Sequence, residues 1–180
     1  MIGVIDLACY RAKQFFAALK PSISAEERRL VESAFETNKP ALALFKHMSI
    51  VDQQHAIAVL RTLLACGQDH RVLQQAALLH DVGKVIGQPL IYRVAIVLLN
   101  AFWPAGLGKL ARDSLTCAAW RRPFVVHARH PQIGATWAQE AGCSEAVVTL
   151  IRIHQKKPPD HPKTLLENWH QALYEADNAN

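Results

Sequence analysis

The 180-residue chain has no C-x-x-C pair, no internal repeat and no low-complexity stretch. Its cysteines, Cys9, Cys66, Cys117 and Cys143, stand singly among apolar or small residues. That pattern reads as buried free thiols in a reducing compartment, and it argues against a disulfide framework. The start, MIGVIDLACYRAKQFF, lacks the basic head and unbroken apolar core of a secretory signal, because Asp6, Arg11 and Lys13 interrupt it. A cytoplasmic protein is expected. No apolar run is suited to cross a bilayer, since Arg93, Asn100 and Pro104 break the best candidate, 90–107. There is also no long basic stripe with interleaved aromatics, so nucleic acid is not an expected partner.

What is there is helical. Apolar residues make up 51% of the chain and charged residues 19%, enough to bury a core in one domain. Strand alternation is scarce. Ser24-Ala-Glu-Glu27 reads as a capping box opening a helix to about Glu36, and Pro40 follows. Ser49 opens a second helix to about Ala65, with Gly67 at its end. Asp69 is expected to cap a third, ending near Gly83. A fourth is expected over 90–103, a short one from Pro123, and another from Pro131 to Gly142. Ser144 caps the next, towards His154, and Pro162 opens the last. The expected architecture is an all-α bundle, with residues 1–40 a helical N-terminal extension and 41–180 the main domain.

Nine histidines are many for this length. His55, His80 and His154 each fall on the apolar face of a helix, where an unpartnered polar ring is costly. One such residue is most simply a core histidine bonded to a carbonyl. Three, with Asp81 next to His80, are harder to dismiss. Adjacent residues on a regular helix point about 100° apart, so His80 and Asp81 can share an ion only near a helix end. Imidazole and carboxylate without thiolate suit manganese, iron, magnesium or zinc in a non-structural site. His47, His70, His161 and His170 read as surface or capping residues.

Ala76-Ala-Leu-Leu-His-Asp-Val-Gly-Lys84 resembles the signature of the HD superfamily of metal-dependent phosphohydrolases. His55 occupies the place of the family's earlier histidine, and Leu173-Tyr-Glu-Ala-Asp177 is similar to its late aspartate segment. The resemblance covers roughly 41–180. It implies one metal held by His55, His80, Asp81 and Asp177. His130-Pro-Gln-Ile-Gly134 and Ile151-Arg-Ile-His154-Gln155 resemble segments of the dinuclear branch. They imply a second ion on His130 and His154, with Asp81 bridging. His127, one turn before His130, is its rival by spacing. The chain departs from that branch after Gln155, which argues against cyclic di-GMP as substrate.

The expectation is hydrolysis of a phosphate ester in a nucleotide or other small phosphorylated molecule. Asp81 would be ligand and candidate proton acceptor. Lys84 would face phosphate, or else compensate a helix C-terminus. Arg129 and Arg152 are further candidates to meet phosphate oxygens. Two other readings stand: a non-catalytic metal-binding sensor or scaffold, and a di-iron oxygenase on the same fold. The apolar 90–110 segment suits a core or lid helix, a homodimer surface or a membrane-surface contact.

Overall fold

The computed structural model describes residues 22–86, 92, 95, 96, 98, 99, 102–112 and 116–180. Residues 1–21 of the expected extension, Cys9 among them, and half of the expected 90–103 helix lie outside the described residues; within it, residues 92, 95, 96, 98, 99 and 102 are helical as expected. Every regular element among the described residues is helical.

Helix α1 (Ala25–Phe35) starts on the expected capping box: Ser24 Oγ accepts from the Glu27 N–H, and the Ser24 N–H donates to Glu27 Oε2. It buries Val31, Ala34 and Phe35. Helix α2 (Lys39–His47) was not expected. Pro40 reads as a break, yet it sits in the first helical turn, where its missing N–H costs nothing, and the Asn38 side chain caps the start. Phe45 of α2 meets Phe35 of α1 with ring centroids 6.4 Å apart. Helix α3 (Ile50–Ala65) has the expected Ser49 cap, and Gly67 after it takes φ +74°, a conformation that favours glycine.

Helix α4 (Arg71–Leu79) is capped by His70, whose Nδ1 accepts from the Val72 N–H, and not by Asp69. It buries Leu73 and all of 76–79 and packs against α1, α2 and α3, so it forms the centre of the bundle. The chain then tightens into a 3₁₀ turn, Val82–Ile86. Short helix α5 (Pro104–Leu110) precedes α6 (Arg122–Glu140), a continuous helix where two were expected, with Pro131 inside it. Ser144 caps α7 (Glu145–Ile153) as expected. The last helix, α8 (Leu165–Asn178), opens on a Thr164–Glu167 capping box rather than at Pro162. Both α7 and α8 also lie against α4.

The buried apolar residues of α1–α4 and α6–α8 form one cluster, so α1, inside the expected extension, shares the core of the main domain. Each fully buried Leu or Ile in it contributes about 1.5–3 kcal/mol by leaving water. Gly83 is not a helix end. A Cβ there would lie 2.2 Å from the His130 carbonyl oxygen, so glycine is what lets the 3₁₀ turn and α6 touch backbone to backbone. Gly134 extends the approach, with Val82 and Gly83 against it.

Candidate metal centre

His80, His130 and His154 share one local geometry. Each ring donates Nδ1–H to the carbonyl three residues earlier: Ala77 at 2.8 Å, His127 at 2.7 Å and Ile151 at 2.8 Å. In an unbroken helix those carbonyls would accept from the backbone N–H of residues 81, 131 and 155. Here each is released. Helix α4 stops at Leu79 and α7 at Ile153, so Ala77 and Ile151 belong to last turns, whose carbonyls lack intrahelical donors. In α6 the same release comes from Pro131, which has no N–H to give to His127. The proline therefore supplies the acceptor that orients His130.

With Nδ1 protonated, Nε2 carries the lone pair on all three rings. These lone pairs converge. His130 Nε2 lies 3.3 Å from His154 Nε2 and 3.2 Å from Asp81 Oδ1, and His154 Nε2 lies 3.8 Å from the same oxygen. His80 Nε2 is 3.5 Å from Asp81 Oδ2 and 3.4 Å from Asp177 Oδ1. It is fully buried, and no hydrogen bond satisfies it. His55 Nε2 pairs with Asp177 Oδ1 at 2.9 Å. Acceptors facing acceptors in a dry interior repel unless a proton or a cation lies among them.

The electrostatics are consistent with that crowding. Burial alone would raise Asp81, but His80, the His130 ring against Oδ1 and the Lys84 ammonium hold its carboxyl well below the usual range. Burial opposes charge on His80, yet Asp81 and Asp177 hold its pKa above the ordinary value. His154 is pushed down to about 3, chiefly by burial and then by His80. Asp177 stays low despite burial, because His55 pairs with it at 2.9 Å and the His80 ring, 3.4 Å away, attracts it. Two groups of donor atoms result, His55–His80–Asp81 and Asp81–His130–His154, and each can hold a metal ion. Asp81 belongs to both. The all-nitrogen-and-oxygen set fits a borderline or hard divalent cation.

Neighbouring groups fix these side chains. Asn180 ties the end of α8, and with it Asp177, by donating to Thr62 Oγ1 and the Ala176 carbonyl. His170, expected at the surface or as a cap, is buried and takes the second role. Its Nε2–H faces the carbonyls of Ile153 and Lys156 at 3.1 and 3.0 Å and so clamps the turn that carries His154. His127 contributes its carbonyl, while its own ring, pushed down to about 4 by burial and then by His130, stacks obliquely near His130.

The structure thus brings His55, His80, Asp81, His130, His154 and Asp177 into one cluster, with Lys84 Nζ bonded to Asp81 Oδ2 at its edge. It does not bring Arg129 or Arg152 there. Both are exposed, and Arg152, two residues before His154 and so on the opposite face of α7, points its guanidinium at Glu145. No family model matches the chain, and no curated protein or solved structure matches it either.

Proposed function

We propose that the protein is a metal-dependent phosphohydrolase acting on a nucleotide or another small phosphorylated molecule in the cytoplasm. The observation that carries the reading is the convergence of three buried imidazole lone pairs on a shared carboxylate, Asp81. His55, His80, Asp81 and Asp177 would hold one divalent ion, and Asp81, His130 and His154 a second. The sequence resemblance to HD phosphohydrolases supports the same assignment. Ions held there would acidify bound water at neutral pH and polarise phosphoryl oxygens.

The chain's own groups have distinct work in this reading. The carbonyl-locked rings present fixed lone pairs, so no reorganisation precedes binding. Asp81 stays ionised at neutral pH and can accept a proton on an oxygen. Lys84 is about one-fifth exposed and can exchange Asp81 for an incoming phosphate oxygen. Metal analysis of freshly purified protein, followed by a turnover screen on phosphorylated small molecules, tests the proposal. Bound manganese, iron, magnesium or zinc and phosphate release abolished by His80→Ala are expected. Lys84→Ala should lower turnover or phosphate affinity with metal content unchanged. Metal-replete protein that releases no phosphate from any compound in the screen would sink the hydrolase reading.

A further inference from the structure

The positive charge of this chain is unevenly placed. Residues 82–139 contain seven Lys and Arg and a single acidic residue, Asp113, whereas the remainder of the chain is close to neutral. The same stretch carries large apolar side chains turned to solvent. Phe102 is 84% exposed, Trp103 59%, Trp120 56% and Leu98 52%. Lys109, Arg112 and Arg122 are exposed near them. Arg121 donates to the carbonyls of Lys109 and Leu110, which places Trp120 near the C-terminal end of α5, while Phe102 and Trp103 adjoin its N-terminus.

We propose that this face docks on the surface of a bilayer containing anionic phospholipid. Tryptophan and phenylalanine flanking a short helix suit the headgroup–acyl boundary, and cations beside them meet lipid phosphates. No described helix is long and apolar enough to cross a membrane, so the contact is interfacial. Charge argues against a second copy as occupant, because two such faces would repel. Exposed Leu98 has no ring on which a base could stack, and its aliphatic side chain suits an acyl boundary better than single-stranded nucleic acid. Helix α6 starts at this face with Arg122 and carries His130 eight residues further on, so docking would hold the histidine cluster about 12 Å along the helix from the contact.

The test uses the full chain and needs no metal. Co-sedimentation with vesicles of phosphatidylcholine plus phosphatidylglycerol should capture the protein at low salt. Pure phosphatidylcholine vesicles should capture far less, and high salt should release it. Lys109→Glu/Arg112→Glu/Arg122→Glu should bind roughly a hundredfold more weakly. Trp103→Ala/Trp120→Ala should also weaken binding, with a wild-type circular dichroism spectrum. A variant-free readout is the wild-type tryptophan emission, which should shift to the blue on anionic vesicles. Equal capture by neutral and anionic vesicles, or none by either, would overturn the proposal. So would dimerisation abolished by the charge variant, or salt-sensitive binding to nucleic acid without vesicle binding.

Discussion

Among the described residues two apolar clusters stand out, and they are built differently. The larger gathers residues from α1–α4 and α6–α8, with α4 buried on every side near its end. The smaller consists of Ile96, Leu107 and Phe124, with Tyr92, Leu99 and Leu110 half-covered around them. The polar groups differ in the same way. In the larger cluster, buried histidines and aspartates are locked by carbonyls and by one another. Around the smaller, aromatics and cations stand in water. A rigid interior can hold charges in close register, whereas a thin apolar layer can only present a surface. The two proposals divide accordingly, chemistry at the first region and contact at the second.

The largest expected effect tests whether the interior is a metal centre at all. His80→Ala and Asp81→Ala should each lose most bound metal by elemental analysis, more than the roughly 10–100-fold that loss of an outer partner costs. Wild-type metal content in either variant would move the centre elsewhere. The next sets the two clusters side by side. Leu78→Ala, in the larger, should cost about 2–5 kcal/mol in urea unfolding of the chelated protein, and Leu107→Ala in the smaller only about 1 kcal/mol. Equal costs would erase the distinction.

Gly83→Ala should cost about 1–3 kcal/mol and also weaken metal binding, because the new methyl must displace the His130 backbone. Lost stability with unchanged metal affinity would show that the 3₁₀ turn and His130 are independent. The smallest effect lies at the edge of the larger cluster. Glu27 is held below its ordinary pKa by the Ser24 N–H, then by Ser24 Oγ and by Arg61, against some desolvation. A depressed folded pKa gives stability that is whole above the unfolded value, about 4.3, and is lost as pH falls through the folded value. Glu27→Gln should remove part of the loss of stability below about pH 4.3, by under about 1 kcal/mol. An unchanged acid limb in a stability–pH profile would count against the capping box as its source.

Much of the fold was legible because its signals are local. Ser24, Ser49 and Ser144 cap helices where a short polar residue precedes an apolar period. Proline misled, because its position in a helix is not written beside it: Pro40 belongs to the start of α2 and Pro131 to the middle of α6. In the centre, His55, His80 and His154 could be read from apolar faces. His130 and Asp177 came only through the resemblance, since their neighbours do not mark them as inward. His170 was missed because its partners, the carbonyls of Ile153 and Lys156, come from a distant turn. Arg129 and Arg152 were proposed from charge alone, and charge says nothing of which way a helix face turns.

Pro131 sets two kinds of selection against each other. An alanine there would restore a helical hydrogen bond, and proline in a helix interior is disfavoured by about 3 kcal/mol. A screen for thermal stability would therefore replace this residue early. The restored N–H, however, would compete for the His127 carbonyl and leave the His130 ring without the sole claim to its anchor. A lineage selected only for robustness would lose the proline. Pro131 lies on the buried face of α6, and under the proposed function its cost is offset by the anchor it leaves to His130.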